Sequence, residues 1–212
     1  NFPTIVALQE VENIGILEDL AANELLVPYD YQPVLVEGFD SRLIDVGYLV
    51  RGDQASIISI EQRSAPGDLF SRPPLVMHVE VRISSGSVEL IVINNHFLSM
   101  SGGEEATEPR RLAQAEWNLS LVNEILAEHP DALVAIMGDL NSLYLSTPIQ
   151  ALRNAGLTPV FDTIPAEERY SYIYQGESQV LDYIVITPAL LDLLQRVGVL
   201  HLNADFPPQA PD

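Results

Sequence analysis

Short runs rich in Val, Ile and Leu recur along the whole chain, and only a few stretches of helical spacing interrupt them. Strands are read at residues 4–8, 32–37, 43–51, 56–61, 133–137, 171–175, 180–186 and 196–202. In PLVMHVEVRI, Leu75, Met77, Val79 and Val81 alternate with His78, Glu80 and Arg82. The turn SSGS joins that run to VELIVINNHF, which reads as a hairpin whose second strand is the more buried. Apolar residues three and four apart predict helices over 12–25, 108–129, 147–154 and 188–194. Pro130 ends the longest of these, and Gly156 suits a left-handed cap after the third. Two sets of strands broken by a few helices predict stacked sheets with helices outside, a layered α/β fold. RSAPGDLFSRPP is a loop too short to divide domains, and no repeat or linker is present, so one domain is expected.

Composition narrows the chemistry. The 212 residues suit a single core, and no apolar run reaches the roughly 18 residues that would span a bilayer. The start NFPTIVALQE enters a strand pattern at once and has no basic flank, so it reads as a chain cut upstream, with export left open. Cysteine is absent, which excludes disulfides, thiolate nucleophiles and Cys-ligated zinc. Lysine is absent as well: all ten cationic side chains are Arg, which removes P-loop and Schiff-base chemistry. A net charge of −20 does not suit a protein that lives by non-specific grip on phosphate backbones. Most of the thirty acids read as solvated surface, and a carboxylate-lined cation site needs only a few of them.

Several strands end on polar groups. ALVAIMGDLNS runs apolar into Asp139 and Asn141, which strand alternation would place on one face. Gly-Asp-x-Asn equally suits a tight turn or a helix cap, and both readings stand. TIVALQEVEN gives Gln9 and Glu10; ELIVINNHF gives Asn94, Asn95 and His96; and Asp182 interrupts the apolar run VLDYIVI. A carboxylate inside a strand is costly unless paired, hydrogen-bonded or at a rim. Taken singly, His96 reads as a core histidine, and Glu12 and Asp19 as helix surface. Taken together, a glutamate, a histidine, an Asp-x-Asn and a strand aspartate suit a hard cation, acid–base groups and a phosphate substrate. The histidines show no HExxH spacing, and no G-x-S-x-G elbow is present, which disfavours zinc and serine hydrolase chemistry.

ALQEVEN, INNHFLSM, MGDLNS and SYIYQGESQVLDYIVI, in that order, resemble the endonuclease/exonuclease/phosphatase superfamily, and most of all its bacterial, often secreted, nuclease-like members. HLNAD, residues 201–205, is similar to a segment near the end of those proteins. The resemblance covers nearly the whole chain and implies a four-layer α/β/β/α sandwich of two mainly antiparallel sheets. It implies Glu10 as a ligand of Mg²⁺ or Mn²⁺ and His96 as a group that stabilises phosphate charge or protonates the leaving oxygen. Asp139 would orient or activate water, Asn141 would bond the phosphate, and Asp182 would orient a second, C-terminal histidine. Asn95 and Arg111 are expected at the substrate, and Asp45 is expected to orient His96. An extracellular or periplasmic location follows from the same likeness.

The reading is therefore one domain over residues 1–212, lacking the family's first strand and its closing Ser-Asp-His segment. His201 lies too early to replace that histidine. This segment alone is expected to hydrolyse phosphodiesters poorly. The leading activity is metal-dependent phosphodiester hydrolysis on nucleic acid. The alternatives are a phosphatase or phospholipid-headgroup hydrolase acting on a small phosphate ester, and a non-catalytic binding domain that keeps the fold. Duplex DNA would require a less acidic face where Arg meets phosphate; a uniformly negative rim at Asp139 favours a small ester.

Overall fold

The computed structural model describes residues 2–202 and 204. Its strands are β1 (Ile5–Val11), β2 (Tyr31–Leu35), β3 (Asp45–Arg51), β4 (Ala55–Gln62), β5 (Leu75–Ile83), β6 (Gly86–His96), β7 (Val134–Asp139), β8 (Thr158–Pro159), β9 (Tyr172–Tyr174), β10 (Glu177–Gln179) and β11 (Asp182–Ile186). The helices are α1 (Ile14–Ala21), α2 (Glu104–Glu128), α3 (Thr147–Asn154) and α4 (Pro188–Leu191). A three-stranded sheet, β1-β3-β2, faces a six-stranded sheet, β4-β5-β6-β7-β11-β8, while β9 and β10 form a separate ribbon. Helix α1 covers the small sheet through Leu17, packed with Val11 and Leu49. Helices α2 and α3 cover the large sheet through Ala115, Leu121, Ile149 and Leu152. The result is the expected α/β/β/α sandwich.

Away from irregularities in β1 and β4, alternation assigns strand residues to layers. In β6, Ile93 faces the helices, whereas Val92 faces the core between the sheets, with Tyr48 of β3 and Met77 of β5. Every pairing is antiparallel except β6–β7, whose parallel register is bridged by α2 as the crossover. Asn94, buried on the inter-sheet side of β6, ties the two sheets together. It donates to Leu8 O (3.1 Å) and Gly47 O (2.9 Å), and accepts from Gln9 Nε2 (2.8 Å). Removing that amide leaves buried partners unpaired, so Asn94→Ala is expected to cost about 2–4 kcal/mol in urea denaturation. An unchanged midpoint would show that the two sheets are held by apolar packing alone.

Several elements differ from the sequence reading: α4 stops at Leu191, short of the expected 194, and β8 and β10 have no counterpart in it. Helix α1 is shorter, starting behind an Asn13 cap that accepts from Ile16 N (3.2 Å). Helix α2 starts at Glu104, ahead of the expected 108, and carries Pro109 within it. The Glu105 carbonyl that loses its partner there belongs to an exposed residue, where water can serve it. Residues 196–202 form no strand, because β11 already pairs with β7 and β8 on its two sides. Val197 and Val199 pack instead against the core of the large sheet. Of HLNAD, residues 203 and 205 lie outside the described residues.

Candidate active site

The register of the large sheet sets three polar residues in one row. His96 is opposite Asp139 in the parallel β6–β7 pair, and Asp139 is opposite Asp182 in the antiparallel β7–β11 pair. Neighbouring strands lie about 4.8 Å apart, so backbone pairing alone holds these groups side by side. Asp139 shares its face with Met137, which packs in the inter-sheet core, so its carboxylate points to the rim of that interface. Asp182 is the first residue of β11 and exposed, which corrects the expectation of a carboxylate embedded in a strand. Its cost is avoided by the rim position rather than by a partner.

Glu10 reaches the same rim from the small sheet through an irregularity. Val6 and Leu8 face α1, so strict alternation would turn Glu10 that way too. Between the pairs Leu8↔Gly47 and Val11↔Asp45, however, β1 carries one residue more than β3, a β-bulge, and Glu10 takes φ +57°. Val11 then occupies the α1 side, and the Glu10 carboxylate is exposed at the rim. Strained backbone of this kind costs of order 1–3 kcal/mol and is concentrated at functional sites.

Beyond Asp139 the turn and the site coincide. Asp139 Oδ1 accepts from Asn141 N (2.8 Å), and Asn141 sits at φ +46°. Its side-chain Nδ2 donates to Phe97 O (3.1 Å). The two residues therefore meet in one cleft through a left-handed turn, not through the strand alternation read from the sequence. Gly138, at φ +122°, lies so close to β6 that an added Cβ would collide with Asn95 O.

That cleft, about 730 Å³, has Glu10, Glu104, Asp139, Asn141 and Asp182 in its lining, and among the described residues no Lys, Arg or His lines it. His96 stands behind it, 4% exposed, with Nε2 3.6 Å from Asp139 Oδ2. The pair does not behave as an ion pair, which would stabilise both charges. Burial, reinforced by Arg72 and Arg42, lowers His96 to about 4. Burial and then the neighbouring Asp182 raise Asp139 to about 7. Both groups are driven towards neutrality because desolvation outweighs their attraction. Behind His96, a buried Asp40–Arg72 pair anchors the wall, and Arg72 Nη2 donates to Phe97 O (3.3 Å). Arg42 leads from it to Glu10, 3.3 Å away in an exposed contact of little energetic weight. Sequence reading missed Asp40 and Arg72, which lie in loops and carry no periodic signal.

The donor set fits a hard divalent cation. Carboxylate oxygens suit Mg²⁺ or Mn²⁺, and a carboxyl held near 7 by burial and by two other acids marks a place short of positive charge. Among the described residues no three His, Cys, Asp or Glu side chains close around one point. Mg²⁺ bound through one or two carboxylates, with water and phosphate oxygens completing its shell, needs no such cage.

Three expected site residues lie elsewhere. Asn95 points to the helix layer, fully buried, and exchanges amide hydrogen bonds with Asn118 (2.9 and 3.0 Å), so it does not meet substrate. Arg111 is fully buried in α2 and donates to Thr107 Oγ1 (2.5 Å) and Glu104 O (3.1 Å), so its guanidinium turns back on its own helix. Asp45 packs against Gly38, and the buried Nδ1 of His96 has no hydrogen-bond partner, so Asp45 does not orient that ring.

Residues 1–202 match the sequence model of the Endonuclease/Exonuclease/phosphatase family. No curated protein matches. Among solved structures, the chain is similar to the human Nocturnin catalytic domain with bound sulfate anion, at 15% identity and a TM-score of 0.64, covering 88% of this chain and 70% of that one. It is similar to truncated Caenorhabditis elegans TDP2, at 19% identity and 0.60, covering 87% and 71%. It is also similar to the mannosyl-6-phosphatase Bt3783 of Bacteroides thetaiotaomicron VPI-5482, at 16% identity and 0.59, covering 87% and 71%. At these identities the likeness concerns the fold.

Proposed function

Because this chain belongs to the endonuclease/exonuclease/phosphatase family, whose members act as phosphodiesterases or phosphatases, we propose that it hydrolyses a small phosphoester by attack of water on phosphorus. The observation that carries this reading is Asp139 and Asp182 in one row with Glu10 in the same cleft and His96 behind them. Among the described residues no cation lies in the lining, and Arg42 meets Glu10 from outside it. Enzymes of the superfamily are generally dependent on a divalent metal. Glu10, with a carboxylate of the opposite row, would hold that ion, which when bound supplies positive charge to the phosphate oxygens.

Asp139, as the carboxylate, accepts a proton from the attacking water as the new O–P bond forms and the P–O bond to the departing group breaks. His96, neutral in its buried position, places Nε2 3.6 Å from Asp139 Oδ2, beside the carboxylate but outside direct hydrogen-bond distance. Asn141 spends one amide hydrogen on Phe97 O and offers the other to a phosphate oxygen. Burial first, and then the exposed Asp182, keep the proton affinity of Asp139 high enough for it to act as a base near neutral pH.

Nucleic acid is the second reading. A net charge of −20 and four carboxylates in the cleft wall repel a polyanion over a Debye length, about 8 Å at physiological salt, and so favour a small ester. The test measures hydrolysis of sugar phosphates, nucleotides, a phospholipid, RNA and plasmid DNA, each with Mg²⁺, Mn²⁺ or EDTA. Metal-dependent turnover is expected on the small esters, with plasmid nicking slower by at least tenfold. Faster cleavage of DNA would overturn the choice of substrate, and activity unaffected by EDTA would overturn the metal.

A further inference from the structure

The cleft has a second wall that the chemistry of phosphorus does not use. Residues 172–179 form a ribbon outside both sheets, β9 paired with β10 in the register Tyr172↔Gln179 and Tyr174↔Glu177. It closes through Gln175 (φ +50°) and Gly176 (φ +85°), the two successive positive φ values of a tight hairpin turn. Tyr172 and Tyr174 are two residues apart, so both rings leave the same face of the ribbon. They stand nearly parallel, 17° apart, with ring centres separated by 6.3 Å. Both tyrosines line the same cleft as Glu10, Asp139 and Asp182.

These rings are 45% and 51% exposed, a large apolar area to leave in water beside four carboxylates. Aromatic side chains on a ribbon normally bury one face against a core. Here the neighbouring volume is the cleft itself, whose size falls within the roughly 300–1,000 Å³ range of small-molecule sites. The ring faces, unlike the hydroxyls, offer a phosphate no hydrogen bond. They suit stacking against a flat π system, and their hydroxyls leave the ring faces free for it.

We propose that Tyr172 and Tyr174 form a stacking platform for a planar aromatic ring carried by the phosphoester, so that the favoured substrates are nucleotide or aryl esters rather than sugar or alkyl esters. This rests on the hydrolytic reading of the cleft, because continuity with the Glu10–Asp139–Asp182 wall is what makes ring and phosphate parts of one molecule. Both tyrosines are binding residues and touch no reacting atom.

Three monoesters separate the sources of recognition: adenosine 5′-monophosphate, phenyl phosphate and ribose 5-phosphate. The kcat/KM ratio of the adenosine ester to the ribose ester is expected to exceed about tenfold, and to fall about five- to hundredfold in Tyr172→Ala and Tyr174→Ala, the range that loss of one stacked base covers. Tyr→Phe at either position should keep the ratio. Phenyl phosphate sharing the preference indicates any flat ring, whereas a preference for the nucleotide alone indicates a base held beyond its sugar; both support the platform.

A second readout does not need turnover. In protein labelled with 3-fluorotyrosine, two of the eight tyrosine signals, assigned with the Phe variants, should shift on adding adenosine 5′-monophosphate in EDTA, and not on adding ribose 5-phosphate. Shifts without hydrolysis of any ester would uphold the platform and sink the activity. Hydrolysis of all three at similar rates with no shift would uphold the activity and sink the platform. Equal losses on ribose and adenosine esters in the Ala variants would reduce the tyrosines to structural residues and overturn the proposal.

Discussion

Asp139→Asn is expected to melt several degrees higher than the wild type at pH 7.5 while losing at least about a hundredfold in phosphoester turnover. Burial, Asp182 and Glu10 raise the Asp139 carboxyl to about 7 in the fold, against 3.8 as the ordinary value. A raised folded value means that the fold prefers the protonated form. Its stabilising contribution is complete below about pH 4 and is lost as pH rises through 7. A shift of about three units corresponds to an upper bound of about 4 kcal/mol, and each kcal/mol moves the Tm of a domain this size by about 2–4 °C. The Asn side chain, carrying no charge, avoids that loss, so the gap between the two proteins should close as the pH approaches 4. His96 works the other way: its folded value of about 4 lies below 6.5, so its contribution is present above 6.5 and lost as pH falls through 4. That loss is common to both proteins. Mg²⁺ or Mn²⁺ should raise the wild-type Tm and do much less for the variant. A variant less stable than wild type at pH 7.5, or one that still turns over, would remove Asp139 from the centre of the site.

Gly138→Ala should be the most damaging single methyl group in the chain, lowering stability by about 3–6 kcal/mol as backbone strain and overpacking combine. At φ +122° the backbone is in a region that L residues rarely enter, and the new carbon would meet Asn95 O of the paired strand. Neither obstacle is the end of a flexible side chain. Marginal stability of about 5–15 kcal/mol leaves little after such a loss, so poor soluble yield is expected, with a strongly reduced urea midpoint in whatever is recovered. Gly176 supplies the contrast. Its φ is +85° but nothing lies within 4 Å of an added Cβ, so Gly176→Ala carries strain without collision and should cost less. Equal effects at the two glycines would mean that β6 and β7 can part without penalty.

Much of this architecture was legible because it follows from local rules. Val, Ile and Leu runs marked every strand of the two sheets except β8, and spacing by three and four marked the helices, since burial of one face imposes those periods. The family likeness drew attention to Glu10, His96, Asp139, Asn141 and Asp182, which lie in or directly behind one cleft. What the sequence concealed was direction. In INNHF the three polar residues read alike, yet Asn94 faces the other sheet, Asn95 faces α2, and His96 sits behind the site. Assigning them needs the register, which pairing with β7 decides. The family likeness pointed to Arg111 as a phosphate contact, whereas its burial depends on how α2 lies on the large sheet. The expected strand at 196–202 failed for a reason no local pattern contains: strand propensity becomes a strand only where an edge accepts it.

The bulge at Glu10 and the row along the large sheet put the two sides of the cleft on different sheets. Within the row, spacing is dictated by the hydrogen-bond ladder and tolerates no adjustment. Across the cleft it is dictated by how thickly Tyr48, Met77 and Val92 fill the interior. Those side chains act as shims in a gauge. Oxygen-to-metal distances separate Mg²⁺, at about 2.0–2.1 Å, from Ca²⁺, at about 2.3–2.6 Å, by less than the width of a methyl group. In the proposed site, ion preference would thereby be set partly by hydrocarbon that no ion touches, and repacking the interior would retune the cleft before it unfolded the sheets.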